Sequence, residues 1–167
     1  KNTPREMVQA ALNKGLRSLG FSGHSFTPHD TGYCMSEQGT QRYKQEVCEL
    51  QEAFAQHIDL FLGLENDFSA PQPDDGYDFI IGAVHYLRTP EGFFAVDESE
   101  EKLRTCIKTQ FGGDWFAAVR TYYHTVADML QSGMRMDILA HFDLIEKFNA
   151  GGRLFDSESP LYRRLAL

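Results

Sequence analysis

Four short apolar runs, set between stretches of helical period, constrain this chain more than any bulk property. The runs are Leu16-Arg17-Ser18-Leu19-Gly20-Phe21-Ser22-Gly23, Ile58-Asp59-Leu60-Phe61-Leu62-Gly63-Leu64, Tyr77-Asp78-Phe79-Ile80-Ile81-Gly82-Ala83-Val84 and Met136-Asp137-Ile138-Leu139-Ala140. They are strand-length and bounded by turn-forming residues, so they read as strands. The third is apolar enough to be buried on both faces, as strands of parallel sheets are. Before and between them lie three helical segments. Thr3 as N-cap, Pro4 at the first helical position and Glu6 as capping-box partner open one, with Met7, Val8, Ala11 and Leu12 on its apolar stripe and Gly15 at its end. A second runs from about Thr40 to Gln56, after loop composition over 25–39. A third covers Glu98 to Leu130, broken at Gly112-Gly113, with Trp115, Phe116, Val119, Tyr122, Tyr123 and Val126 on its apolar side. A turn is expected from Pro71 to Gly76, and a less regular tail runs from Gly151-Gly152 to Leu167. Such alternation builds βα units into a wound sheet or barrel, with functional groups on the loops after the strands. No repeat and no linker divides the chain, so residues 1–167 are expected to form a single domain.

Composition narrows the function classes. With 42% apolar residues, 13 Phe and 7 Tyr among 167 residues, the chain can bury a sizeable core. The net charge of −8 comes from 24 acidic and 16 basic residues without a basic run. That is no footprint for a nucleic-acid backbone or an anionic membrane, and neither partner is expected. No apolar stretch approaches the roughly 20 residues of a membrane helix, and Lys1 to Arg5 read as a helix start, so a cytoplasmic protein is expected. Cys34, Cys48 and Cys106 are odd in number and widely spaced, which suits free packing thiols. The residues carry no signal for an oligomeric state.

The ionisable residues fall at the same end of every strand: His24 after the first, Glu65 after the second, His85 after the third, His141 after the fourth. Neighbouring strands lie about 5 Å apart, so equivalent C-terminal positions of parallel strands converge on one mouth. Neutral imidazoles and a carboxylate there suit Zn²⁺, Mn²⁺ or Fe²⁺, and a glutamate can bridge two ions. One histidine after an apolar strand is more often a hydrogen-bonded structural residue; four coincident positions shift the weight toward a metal site. His57 and His124, at a helix end and on a helix flank, read as solvated or packing residues. His29, on the loop after His24, could reach the same mouth. Asp74-Asp75 and the acidic run from Glu98 to Glu101 are explained by turn chemistry and a helix N-terminus. Tyr122 and Tyr123 read as core and rim. No glycine-rich phosphate loop and no Ser or Cys nucleophile arrangement is visible, so covalent catalysis has little support.

The segments Gly20-Phe21-Ser22-Gly23-His24-Ser25, Gly63-Leu64-Glu65, Ile81-Gly82-Ala83-Val84-His85 and Asp137-Ile138-Leu139-Ala140-His141-Phe142-Asp143 together resemble the PHP (polymerase and histidinol phosphatase) superfamily. Their order and spacing resemble its histidinol-phosphatase branch over nearly the whole chain. The resemblance implies a distorted (β/α)7 barrel holding up to three Zn, Mn or Fe ions. It carries over His24, Glu65, His85 and His141 as ligands, with Glu65 bridging and His24, Glu65 and His85 in the catalytic centre. The implied reaction is hydrolysis of a small-molecule phosphate monoester, L-histidinol phosphate. Arg88, just past His85, reads equally as a phosphate partner and as a solvated loop arginine. Asp67, Asp143 and His29 read as supporting or substrate-orienting groups. The family also carries a His-x-His strand before the helix that opens here at Thr3, and a late Asp-x-His strand. Neither stands in this sequence, and a (β/α)8 barrel takes about 250 residues, so the barrel is expected to be incomplete, without its first and last strands. Two rival readings are a superfamily phosphoesterase acting on nucleotides, nucleic-acid ends or phosphotyrosine, and a non-catalytic metal-binding or interaction module.

Overall fold

Thr3 opens the first helix as its spacing predicts. In the computed structural model, which describes residues 2–166, Thr3 Oγ1 accepts from the Glu6 N–H at 3.2 Å and Glu6 Oε2 accepts from the Thr3 N–H at 2.7 Å. Helix α1 spans Pro4–Asn13 and ends at Gly15, whose φ of 73° is the left-handed conformation that glycine adopts without penalty. There the Gly15 N–H donates to Leu12 and the Leu16 N–H to Ala11, which satisfies carbonyls of the last turn. In chain order follow β1 (Ser18–His24), α2 (Glu37–Phe54), β2 (Asp59–Asp67), β3 (Phe79–Ala83), β4 (Tyr86–Thr89), β5 (Gly92–Ala95), α3 (Glu100–Gln110), α4 (Trp115–Gln131), β6 (Ile138–Leu139), 3-10 turns at Leu144–Glu146 and Ala150–Gly152, and α5 (Pro160–Ala166).

The chain divides into two compact units, one holding the residues through Gly82 with Arg135–Ile138, the other Ala83–Met134 with the residues from Leu139 onward. The first unit is built on a sheet of order β1-β2-β3-β6. Strands β1 and β2 run parallel, in register from Ser18 opposite Asp59 to His24 opposite Glu65. The period of two then sorts the side chains. Phe21, Leu60, Leu62 and Leu64 join Val8, Ala11, Val47 and Leu50 of α1 and α2, with Ile58, Tyr77 and Ile80, in one buried core. The opposite face carries Gly20, Ser22 and His24 on β1 and Phe61, Gly63 and Glu65 on β2. It is the more open face, with Phe61 43% exposed. Phe79 lies across its two glycines: a Cβ at Gly20 would sit 2.9 Å from the ring, and one at Gly63 would overlap it. Glycine at these positions gives the ring its seat.

In the second unit, α3 buries Leu103, Cys106 and Ile107, and α4 buries Ala118, Val119, Tyr122, Tyr123, Val126 and Met129. Phe155 stacks on Tyr162 of α5 at 5.7 Å, and the Tyr123 and Tyr162 hydroxyls are 2.6 Å apart. The break at Gly112-Gly113 falls where expected. Both residues have positive φ, and Asp114 caps α4 by accepting from the Ala117 N–H at 3.0 Å.

Several boundaries differ from the sequence reading for local reasons. Helix α2 starts at Glu37 rather than Thr40, because Ser36 Oγ accepts from the Gly39 N–H at 3.0 Å and Glu37 sits favourably in the first turn. Strand β2 continues to Asp67, so Glu65 is a strand residue rather than the start of a loop; the Ser25 N–H donates to its carbonyl at 2.9 Å. Strand β3 covers Phe79–Ala83 and leaves Phe79 and Ile81 only partly buried, not enclosed on both faces. Strand β6 has two residues rather than five. Just before it, Asp137 takes the place of ladder bonds: its N–H donates to Ile80 O and its carboxylate accepts from the Ile80 N–H, each at 2.8 Å. The antiparallel β4–β5 hairpin, Tyr86 opposite Ala95 through Thr89 opposite Gly92, has no counterpart in the sequence reading. Among the described residues, no helix is long and apolar enough to cross a membrane.

Candidate metal centre

In the first unit the parallel register sets His24 beside Glu65. Their side chains are 35% and 16% exposed, and His24 Nδ1 lies 3.8 Å from Glu65 Oε1. Two ligand atoms at 2.0–2.2 Å from one tetrahedral ion are about 3.4 Å apart, so the pair fits a shared ion after a shift of a few tenths of an ångström. A direct hydrogen bond would need a closer approach. The other ring nitrogen of His24, Nε2, lies 3.3 Å from the Tyr33 hydroxyl.

Tyr43 of α2 ties down the backbone on either side of this pair. Its hydroxyl donates to Gly63 O at 2.7 Å and accepts from the Gly23 N–H at 3.4 Å. Gly23 immediately precedes His24, and Gly63 lies two residues before Glu65. Burial pushes the Tyr43 phenol up to about 12, against the smaller lowering effect of the Gly23 N–H, so it remains a neutral donor at neutral pH.

In the second unit His85 and His141 come together, with ring centroids 4.9 Å apart at 71°. His85 is buried and its carbonyl accepts from the Val96 N–H at 2.9 Å, while His141 is exposed. Beneath them the Tyr122 hydroxyl, fully buried on α4, reaches Val84 O at 3.3 Å and His141 O at 3.4 Å. One phenol therefore links the two histidine-bearing segments. From the sequence Tyr122 reads as a core residue, and nothing there signals this link.

The remaining candidates are scattered. His29 is exposed on its loop, with Nε2 3.2 Å from Ser69 Oγ. Ser69 in turn donates to the Asp67 carboxylate through its hydroxyl and, at 2.7 Å, through its N–H. Asp67 is buried at the end of β2. Asp143 is exposed at the head of the Leu144–Glu146 turn, and its carbonyl accepts from the Glu146 N–H at 2.8 Å. Arg88 lies not on a loop but on β4, exposed and opposite Phe93. His57 and His124 are exposed, in line with their solvated reading. All three cysteines are free, and burial pushes the Cys106 thiol up to about 11.

No family model matches the sequence. Two curated proteins do: a Deinococcus radiodurans protein assigned as a histidinol-phosphatase is 34% identical over 157 residues, 87% of this chain, and the Bacillus subtilis histidinol-phosphatase is 25% identical over 167, 88% of this chain. This chain is similar to histidinol-phosphatases over nearly nine-tenths of its length, 87% and 88%. It spans 56% and 62% of the length of those two histidinol-phosphatase relatives. Two solved histidinol-phosphatase structures share its fold. The Listeria monocytogenes protein superposes with a TM-score of 0.76 at 16% identity, over 96% of this chain and 68% of its own. The Lactococcus lactis enzyme, solved with zinc, L-histidinol and phosphate, has a TM-score of 0.62 at 23% identity, over 88% of this chain and 54% of its own. The mixed α/β fold with parallel strands is thus shared with these two solved proteins.

Proposed function

We propose that this chain is part of a metal-dependent phosphate-monoester hydrolase whose substrate is L-histidinol phosphate. The observation that carries the reading is the His24–Glu65 pair, set at one register position of adjacent parallel strands with facing ligand atoms 3.8 Å apart. The His85–His141 pair supports it. Each of these histidines follows a strand of the same sheet by two residues, so each lies within about 7 Å of chain reach from its strand end. We further propose that all four share the ions, zinc, manganese or iron and up to three in a complete site. The zinc, histidinol and phosphate held by the Lactococcus enzyme favour this substrate and this metal chemistry. The open sheet face bearing Phe61, Gly63 and Glu65 suits the interior of a distorted (β/α)7 barrel formed as one domain.

Bound divalent ions would supply Lewis-acid charge to the phosphate oxygens and a water of lowered pKa. Glu65 offers two carboxylate oxygens, enough to serve two ions, and Tyr43 fixes the strand ends that aim it. His24, His85 and His141 offer neutral imidazole nitrogens. Arg88 is the proposed partner of the phosphate dianion, as a guanidinium binds phosphate in a fork. His29, steadied by Ser69, and Asp143 are the proposed orienting groups for the amino-alcohol end of the substrate. No protein nucleophile is required.

The test is phosphate release by the intact protein after addition of Mn²⁺ or Zn²⁺, comparing L-histidinol phosphate with an aryl phosphate. The expected result is a kcat/KM at least about tenfold higher for histidinol phosphate, about 1.4 kcal/mol of discrimination. Equal rates would replace the substrate assignment with a general phosphoesterase. No release under either metal would leave a non-catalytic metal-binding module.

A further inference from the structure

We infer that Tyr33 is a positioning residue for His24, holding its imidazole so that Nδ1 faces Glu65; the inference rests on the metal-centre reading above. Tyr33 touches His24 in two ways. Its hydroxyl lies 3.3 Å from Nε2, and its ring packs on the imidazole with centroids 4.7 Å apart and planes inclined at 54°. The core does not explain this placement, since Tyr33 is 49% exposed.

The loop is folded to deliver it. The Asp30 N–H donates to Thr27 O at 3.0 Å, the Thr27 N–H to Cys34 Sγ at 3.1 Å, and the Met35 N–H to the carbonyl of His24 itself at 3.3 Å. The segment leaving β1 therefore closes back onto the residue it left, and Tyr33 sits two positions before the closing bond.

The proton assignment follows from the chemistry. A metal on Nδ1 requires that nitrogen's lone pair, so the ring proton must sit on Nε2, where it donates to the Tyr33 oxygen. The opposite arrangement, with the phenol donating to Nε2, would put a proton on Nδ1 and block coordination. A ligand histidine whose second nitrogen is held in this way keeps its tautomer and orientation, and loss of such a partner costs roughly 10–100-fold in metal affinity.

The test compares Tyr33→Phe, which keeps the ring and removes the hydroxyl, with Tyr33→Leu and His24→Ala in the intact protein. Zinc affinity is read by competition with a chromogenic chelator, and ligand geometry by the visible absorption of the Co²⁺-substituted protein. Zinc-free Tm serves as the folding control. Tyr33→Phe is expected to weaken zinc binding about tenfold and shift the cobalt bands at unchanged Tm, with Tyr33→Leu weaker still. Zinc affinity within twofold of the parent and an unchanged cobalt spectrum in both Tyr33 variants, with His24→Ala strongly impaired, would overturn the role of Tyr33 alone. An unimpaired His24→Ala would overturn the inference together with the metal-centre reading.

Discussion

Glu65 has the most specific task of any residue in the proposed site, because no other side chain of the set can serve two ions. Replacement by Gln keeps the shape and removes the charge. Activity should fall by more than the roughly 100-fold that changes outside the ligand set cost, as measured by phosphate release at saturating metal. A variant retaining a tenth of the parent activity would contradict the bridging role. Tyr43→Phe acts one layer away, leaving the Gly63 carbonyl without its phenol donor. We expect a loss of about 1–2 kcal/mol in urea unfolding, with zinc affinity reduced because both strand ends loosen. The pairing of His24 with Glu65 was legible in the sequence because two strand-length apolar runs end beside these residues, and the parallel register then sets them side by side. Tyr33, Tyr43 and Tyr122 were not. Their contacts join residues 9, 20 and 38 positions apart, and no periodicity announces such pairings.

At the scale of elements, local chemistry decided what could be read. The Thr3-Pro4-Arg5-Glu6 box and the Gly112-Gly113 break carry their own signals, whereas the Ser36 cap was obscured by loop-like neighbours. The β4–β5 hairpin went unread because Pro90-Glu91 joins strands of only four residues each, and its register depends on Gly92 at a φ of 129°. Strand β6 starts later than the apolar run suggests, since Asp137 just before it meets the Ile80 N–H with its side chain in place of a ladder carbonyl. Gly63 offers an element-level test. Gly63→Ala would force a Cβ into the Phe79 ring and should cost about 1–3 kcal/mol by chemical unfolding. The double variant with Phe79→Leu should recover much of that loss. Full stability of Gly63→Ala alone would show that the ring does not occupy the seat described.

Taken whole, the molecule shields two phenols and a thiol so that they hold their protons. The Tyr43 and Tyr77 phenols are pushed by burial from 10.0 to about 12, and the Cys106 thiol from 9.0 to about 11. Each holds its proton more tightly when folded, so its contribution is intact below the unfolded value and is lost as pH rises through the folded one. The urea midpoint should therefore decline steadily from about pH 9 to 12; a midpoint flat across that range would show that these groups are not buried as described. The α/β class was legible because apolar runs alternate with helical periods, whereas the unit boundaries at Gly82 and Leu139 fall inside strands and carry no linker signal. The measurement that bears most directly on the central proposal is anomalous diffraction at the zinc absorption edge from crystals of the zinc-loaded protein. The account predicts peaks within about 2.0–2.2 Å of His24 Nδ1 and a Glu65 carboxylate oxygen, with His85 and His141 completing the coordination. Zinc bound only elsewhere, such as at the free cysteines, with His24 and Glu65 uncoordinated, would contradict it.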